Sequence, residues 1–597
     1  MNYLVKLLIL NLPYLLFLFK KETVEPVIIQ QEKIRIIPTD YFDNPVHHSI
    51  QLAGTFCELR PNHFHTGIDI KSSAGVQGDP IYAVADGYIS RISIKPDGYG
   101  NALYIDHPNG YTSVYGHLRN FSPELEQYVL QEQTLQQRFD VELYPRKNQF
   151  PINKGMVIAN MGNTGSSNGA HLHFEIRDTK SENPLNPLLF GIKVDDSEAP
   201  GVSYFRLYGL NNDWDEFGAR NVLVTKRNGI FVPRSGGDTL RLAAEIAGVG
   251  VNTRDGMQNN WNKNGVYKIN LFVDDTLYYT VKMDSVSFFK TRMINSHLDY
   301  PEQKNKKNYV HKCFSQPGNT LPIIIHQNNR GVIPLNTQKT RKIIFEIYDF
   351  NLNKSVIQFF LKKDTIHLKI PPVAFNYLLK FDERNTIKND NAIINFPKIT
   401  FFKDLKFNYL SQSDMSSNIY SEVQQLGDLD IPVFGYYDLR IKNRNLPSQL
   451  RNKAFIASCD DQNRVINWGG EWQNNLYITD VNQGEWLYAT PKAFGSFYIT
   501  IDTIPPTVKP VIFGRDMRRT RKIVFTIGDD IRPGGTTTQL RYSTYIDDKW
   551  VLMRYDLKSR TITYDFPANF PAGEHTFKLE VYDPMNNVTT IKNTFLK

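Results

Sequence analysis

The sequence predicts a mainly β protein made of several successive domains. Three observations carry that expectation. The chain has 597 residues, and at about 150 residues per domain it needs roughly four separate cores. Aromatic residues make up 13% of it, with 32 tyrosines and 37 phenylalanines falling in short runs, and such side chains favour strands. A strand-and-turn pattern also occurs twice. TRKIIFEIYDFNLNK from Thr340 and FKLEVYDPMNNVT from Phe577 place Glu346, Tyr348, Asp349 and Asn353 in the same spacing as Glu580, Tyr582, Asp583 and Asn587. A repeat of that kind points to sandwich modules built on one plan.

Residues 1–21 come first along the chain. Lys6 precedes an apolar stretch from Leu7 to Phe19, followed by Lys20 and Lys21. That arrangement suits an export signal, although no small-x-small cleavage motif follows it. Interrupted by Asn11 and Pro13, the stretch is short against the roughly 20 residues that span a bilayer. A signal peptide and a retained membrane anchor both fit, and either sends the rest of the chain across the membrane. The absence of a cysteine near the end of the segment argues against a lipid-anchored form. Residues 22–44 read as a linker.

Residues 45–195 carry the chemistry. HTGID sets His65 and Asp69 four residues apart, and HLHFEI sets His171 and His173 on either side of Leu172. In an extended strand, residues two apart share a face, so His171 and His173 project together while Leu172, Phe174 and Ile176 turn into the core. The same parity aligns His65 with Asp69. Two imidazoles and one carboxylate are a ligand set that catalytic zinc prefers, with a fourth position left for water or substrate. One histidine of the group is then left over to handle protons beside the metal. Spacing alone is only moderately specific in a chain with 13 histidines.

The surrounding stretches narrow the reading. LRPNHFHTGIDI from Leu59 is followed by PIYAVADGYIS, GYGNALYIDHPNGYTSVYGHL, KGMVIANMGNTG and HLHFEIRD. In this order they resemble the M23 family of zinc metallopeptidases, the lysostaphin and LytM type that cuts peptide bonds in bacterial peptidoglycan. The resemblance covers residues 45–195 and implies an antiparallel β-sheet metallopeptidase domain. It further implies Zn²⁺ held by His65, Asp69 and His173, with His171 as general base. His117, in YGHL, corresponds to the family's other active-site histidine, which orients water or stabilises the tetrahedral intermediate. Peptidoglycan stem peptides or cross-bridges are the implied partners, and an exported, periplasmic or cell-envelope location is the implied setting. Ala170 departs from the proline that usually precedes HLH, and the segment from Leu118 to Ile152 is longer than the family minimum. Some members lose ligands and instead bind and activate another wall hydrolase. With every expected ligand and both additional histidines present, the resemblance favours a working endopeptidase, and the non-catalytic activator is the alternative.

The remaining histidines and the cysteines take structural readings. His63 is expected at the surface or behind the ligands, His107 to cap a hairpin turn, and His47 and His48 to be structural. Cys57, Cys313 and Cys459 lie too far apart for a disulfide framework or a thiolate zinc site. Cys57 is expected to be buried packing. Within the longer segment, Ser122 and Pro123 read as the N-cap and first residue of a helix. Leu125, Tyr128, Val129, Leu135 and Phe139 would form its apolar stripe, making it either a lid over the active-site groove or an insertion packed on the surface.

Past Glu198, Ala199 and Pro200 the sequence predicts a β-sandwich module over 196–370, with alternating strands in GVYKINLFVDD and TLYYTVKMD. A β-rich module over 371–502 opens at Pro371 and Pro372 and contains ITFFKDLKFNYL and WLYATPKAFGSFYITI. The stiff joint TIPPTVKP from Thr503 opens an immunoglobulin-like sandwich over 503–597. No chemical motif marks these modules, so they are expected to space the first domain, anchor it on substrate, or act as scaffold. The formal net charge of +8 is a weak excess on a long chain. Its clusters, such as Lys304, Lys306 and Lys307, are expected in solvated polar loops, and nothing resembles a nucleic-acid module.

Overall fold

The computed structural model describes residues 37–597 apart from 259, 336–338, 367–373, 415, 417, 461, 474–484 and 536–539. The segment at 1–21, expected from the sequence to direct export, and the pair Pro371 and Pro372 lie outside the described residues. Strands dominate what is described, as the aromatic content predicts.

The first sheet is built from β1 (Leu52–Gly54), β2 (Ile68–Lys71), β3 (Gly87–Ile94), β4 (Asn101–Asp106), β5 (Tyr111–Gly116), β6 (Val141–Leu143) and β7 (His171–Asp178). Hydrogen bonding orders them β1-β2-β7-β5-β4-β3-β6, with every neighbour antiparallel. The alternation in HLHFEI does what strand geometry requires: Leu172, Phe174 and Ile176 are 0% exposed on one face, leaving His171 and His173 on the other. Because β7 is central, its backbone is pinned on both sides, to β2 and to β5.

Between β5 and β6 lies α1 (Pro123–Gln136), which starts after Ser122 with proline in its first turn, as the sequence predicts. Leu125 and Val129 are buried, but Leu135 is 78% exposed, so the apolar stripe ends earlier than its spacing suggests. Gln133 takes the inner position instead and donates from Nε2 to the Phe139 carbonyl at 2.5 Å. That bond turns the chain so that Phe139 packs against the core of the C-terminal sandwich. The segment thus bridges the first and last parts of the protein.

The next region contains β8 (Gly201–Leu210), β9 (Glu216–Arg227), β10 (Ile246–Met257), β11 (Asn260–Asn264), β12 (Arg341–Tyr348) and β13 (Lys354–Lys363). It packs as a sandwich, with Phe205 of β8 stacked on Phe359 of β13 at 4.1 Å. Its hydrogen bonds nevertheless form one continuous 13-stranded sheet, because the long strand β9 pairs with β8 at one end and with Ile230–Pro233 at the other. A strand that passes between faces lets one sheet supply both layers. Lys304 and Lys306 correct the sequence reading: they lie on α2 (Tyr300–Lys306), not in a polar loop. Lys304 pairs with Asp430 of the following region at 3.1 Å, and Lys306 pairs with Glu302 at 2.8 Å.

Between residues 385 and 501 run a five-stranded sheet and five strands of a six-stranded one, completed by Arg532–Pro533 from further along the chain, around an aromatic core that includes Phe396, Tyr437 and Phe494. The last region is a sandwich of two four-stranded sheets containing β14 (Lys522–Gly528), β15 (Glu574–Tyr582) and β16 (Val588–Leu596). Phe525 and Phe577 stack between its sheets at 5.5 Å. Cys57 and Cys313 are buried and Cys459 is exposed, all three as free thiols. Among the described residues no helix is long and apolar enough to cross a membrane.

Candidate metal centre

Two adjacent strands and one loop bring the site together. β2 lies beside β7 with Asp69 directly opposite His173 in the ladder. His65 is not on a strand with Asp69, as simple parity would have it. It follows the two-residue strand His63–Phe64 and enters from a loop. Gly67 makes the approach possible, since a Cβ there would lie 2.4 Å from the Phe174 carbonyl and 3.0 Å from the His173 ring.

His65, Asp69 and His173 are all buried and present one donor atom each to a common point. His65 Nε2 lies 3.0 Å from His173 Nδ1 and 3.0 Å from Asp69 Oδ1, and His173 Nδ1 lies 2.9 Å from that same oxygen. The outer nitrogens are already committed. His65 Nδ1 donates to the Thr55 carbonyl at 2.8 Å, and His173 Nε2 donates to Glu175 Oε1 at 2.8 Å. With those outer protons held, both rings in their neutral form turn lone pairs inward beside a carboxylate oxygen. Three converging acceptors fit a cation, and two nitrogens with one oxygen suit zinc, whose tetrahedral ligands at about 2.0–2.2 Å stand roughly 3.3 Å apart.

The charges follow from burial and partners. Burial opposes ionisation of Asp69, but the imidazoles of His65, His171 and His173 outweigh it and hold its pKa well below the usual carboxylate range. Its second oxygen accepts from Arg60 at 2.6 Å. Burial pulls His65 down to about 4. Burial also acts downward on His173, but its hydrogen bonds to Asp69 and Glu175 prevail and the net shift is upward. A cation at the centre would take the place of that proton.

His171 and His117 flank this triangle. His171 Nε2 is 3.5 Å from Asp69 Oδ1, and its Nδ1 is held by the Gly169 carbonyl at 2.9 Å, with Ser167 Oγ at 3.2 Å. The His117 ring lies 4.8 Å from that of His171 and 5.8 Å from that of His173, centre to centre. Its Nδ1 donates to the Thr164 carbonyl at 2.8 Å. Burial first, and then the neighbouring histidines, pull its pKa down to about 3. The His117 backbone sits at φ 61°, a left-handed conformation uncommon outside glycine.

The other histidines stay out of this group. His63 is exposed and contacts the Pro61 carbonyl. His107 is buried between the Asp86 carbonyl and Ser113 at the β4–β5 turn. His47 stacks on Tyr82, and His48 faces Asp79.

Sequence reasoning missed the support behind His173. Glu175 Oε1 also accepts from Thr66 at 2.5 Å and Tyr99 at 2.6 Å, while its other oxygen takes Arg177 Nε at 2.6 Å. Arg177 is the first of the charged groups that hold the Glu175 carboxyl well below its ordinary range against full burial. The signal was parity, since Glu175 and Arg177 continue the His171 and His173 face of β7.

Two family models match parts of the chain. The model of Peptidase family M23 matches residues 63–138, and that of a Zu5-like domain matches residues 376–502. The DD-carboxypeptidase/endopeptidase Mpg of Neisseria meningitidis serogroup B (strain ATCC 13091 / M2091) is 33% identical over 151 residues, 25% of this chain and 25% of that protein. The murein hydrolase activator NlpD of Escherichia coli (strain K12) is 37% identical over 123 residues, 20% of this chain and 25% of that protein. The chain therefore spans about a quarter of the length of the curated relatives it matches. Among solved structures, a zinc-containing peptidase from Vibrio cholerae is 26% identical, with 27% of this chain and 40% of that one covered and a TM-score of 0.19.

Proposed function

Because its residues 63–138 match peptidase family M23, we propose that this protein is a zinc-dependent endopeptidase that hydrolyses peptide bonds in peptidoglycan cross-links and so remodels the cell wall. The observation that supports this most is the inward-facing set of His65 Nε2, Asp69 Oδ1 and His173 Nδ1, with both imidazole tautomers fixed from outside. In this reading those three residues hold Zn²⁺. Bound zinc supplies Lewis acidity, which polarises the scissile carbonyl and makes water a usable nucleophile near neutral pH.

The chain's own groups divide the remaining work. His171 donates its Nδ1 proton to Gly169, which leaves the Nε2 lone pair facing the site. It is placed to take the proton of the attacking water and pass it to the leaving amine. His117 is neutral and donates through Nδ1 to Thr164, so it offers Nε2 only as an acceptor. That geometry favours orienting water over stabilising an oxyanion, the two roles the family resemblance left open. The peptidase domain occupies residues 45–195, and the modules over 196–370, 371–502 and 503–597 hold it in place. Stem peptides or cross-bridges of peptidoglycan are the partners, in the periplasm or elsewhere in the cell envelope, with an N-terminal segment that is either cleaved or retained as an anchor.

A second reading, binding and activation of another wall hydrolase, is favoured by the likeness to a murein hydrolase activator. Purified protein incubated with defined wall fragments separates the two. New amino and carboxyl termini found by mass, in proportion to zinc content, support the peptidase; stimulation of a partner hydrolase by zinc-free protein that cuts nothing itself supports the activator.

A further inference from the structure

A second group of candidate ligands lies where the first sandwich meets the peptidase domain, and it is made of oxygen donors. Asp196 on the connecting segment, Asp255 near the end of β10 and Asp349 just past β12 bring one oxygen each to within 4.8 Å of the others. Burial, and then the negative charges of Asp349, Asp196 and Glu198, push the Asp255 carboxyl up to about 9. A protein interior does not gather such groups without something to balance them.

Asn264 is the independent sign of a ligand. It stands opposite Asp255 in the β10–β11 ladder, is 0% exposed, and lines the same cavity as the three aspartates. Neither its amide oxygen nor its amide nitrogen has a hydrogen-bond partner, and Asp255 Oδ1 is likewise buried without one. Buried polar atoms left unmatched are rare enough to need an explanation. The other oxygens are held ready. Asn353 donates its backbone N–H to Asp349 Oδ1 at 2.8 Å and its side-chain amide to Oδ2 at 2.6 Å, and it reaches the Asp196 carbonyl at 3.1 Å.

The last sandwich repeats the arrangement. Asp502, Asp529 and Asp583 also lie within 4.8 Å of one another. Asn587 gives Asp583 the same pair of bonds, at 2.8 and 2.7 Å, and reaches the Asp502 carbonyl at 3.0 Å. Asp196 Oδ1 accepts from the N–H of Glu198 and Asp502 Oδ1 from that of Ile504, both at 2.9 Å. Asp529 Oδ2 is buried without a partner. The repeat seen in the sequence as Asp349 with Asn353 and Asp583 with Asn587 is thus a pair of equivalent corners.

We propose that Asp196, Asp255, Asp349 and the Asn264 amide oxygen bind a divalent cation of the calcium type, and that Asp502, Asp529 and Asp583 bind a second. Carboxylates and an amide oxygen, without nitrogen or sulfur donors, are the ligands of hard cations, and donors on one ion at about 2.3–2.6 Å stand no more than roughly 5 Å apart. Each cation ties the segment that enters a sandwich to the turns at its end. The first also steadies Gly265, which follows Asn264 and bonds with Thr55, the residue whose carbonyl orients His65.

Equilibrium dialysis of the full chain against Ca²⁺ tests this. The wild type is expected to take up two Ca²⁺ saturably, the near-isosteric variants Asp255→Asn and Asp529→Asn one each, and the double variant none. Saturating Ca²⁺ should raise the unfolding temperature of the wild type more than that of either variant. Should Asp255→Asn fail to fold, Asp196→Asn, in the connecting segment, replaces it. Absence of saturable uptake by the wild type, or equal uptake by wild type and variants, overturns the proposal. A single Ca²⁺ lost only with Asp255 keeps the first site and overturns the second.

Discussion

Thr55 and Gly265 hold each other by a reciprocal pair of bonds: the threonine hydroxyl donates to the glycine carbonyl at 3.0 Å and accepts the glycine N–H at 2.9 Å. Thr55 belongs to the domain with the candidate metal centre and Gly265 to the first sandwich. The Thr55 carbonyl also accepts the Nδ1 proton of His65. One residue therefore connects the sandwich to a candidate metal ligand. Thr55→Val removes the hydroxyl but keeps the carbonyl. At about 0.5–1.5 kcal/mol per bond it should cost roughly 1–3 kcal/mol of stability and leave zinc content unchanged. Urea denaturation with parallel metal analysis checks both, and loss of zinc without loss of stability would contradict this division.

Asp69 and His171 should separate cleanly on mutation. Asp69→Ala removes a donor from the triangle and deprives Arg60 of its 2.6 Å partner, so the purified protein should lack zinc and activity. His171→Ala leaves all three donors and should retain zinc while turnover falls by about 10²–10⁴-fold. Metal content beside hydrolysis of a defined wall peptide reads this out. Equal zinc in both proteins would undo the assignment of roles.

Glu175→Gln tests the support behind His173. The amide cannot accept as strongly from Nε2, and it leaves Arg177 buried without its carboxylate. Loss of such a partner typically weakens metal binding by about 10–100-fold. Competition with a zinc chelator measures it, and unchanged affinity would show that the ring is held by packing alone.

How far these groups could be read from sequence depended on how local their geometry is. The face shared by His171 and His173, and the burial of Leu172, Phe174 and Ile176, follow from strand parity within one element. The pairing of Asp69 with His173 is a contact between strands 104 residues apart, which parity alone cannot supply. His65 defeated the parity argument because it enters from a loop made passable by Gly67. The all-β character was legible from composition, whereas the role of β9 in joining two faces was not, since nothing in its residues marks a change of partner. The repeated Asp and Asn turn was visible as a pattern, but Asp255 and Asn264 came from elsewhere in the chain, so the pattern read as a turn and not as a cluster.

Lys558 carries a contact from the last sandwich to the rim of the candidate metal centre. Its Nζ donates to the carbonyls of Asn163 and Ser167, and Ser167 Oγ lies 3.2 Å from His171 Nδ1. Lys558→Ala should loosen the loop at 163–169 without unfolding either domain. Amide exchange in that loop is expected to rise several-fold while exchange in β7 stays unchanged. Equal exchange in both proteins would show that the loop is rigid by itself.

His297 and His311 contribute to the response to acid. Both are buried, with His297 Nε2 3.0 Å from His311 Nδ1. Burial, and then the charge of Lys312, pull His297 down to about 3, and burial with the neighbouring His297 pulls His311 well below its ordinary value. Since the folded values lie below about 6.5, the value in an unfolded chain, protonation favours unfolding. The stability these rings contribute is complete above about pH 6.5 and is lost as the pH falls toward the folded values. Each contributes a slope of up to about 1.4 kcal/mol per pH unit, so the pair contributes up to about 2.8. Between pH 7.5 and pH 5 the denaturation midpoint of the wild type should fall more steeply than that of His297→Gln, which removes one of the two titrating rings. The comparison with the variant cancels proton uptake at the candidate metal ligands, which both proteins share. Parallel slopes would show that these rings gain no protons on unfolding in this range.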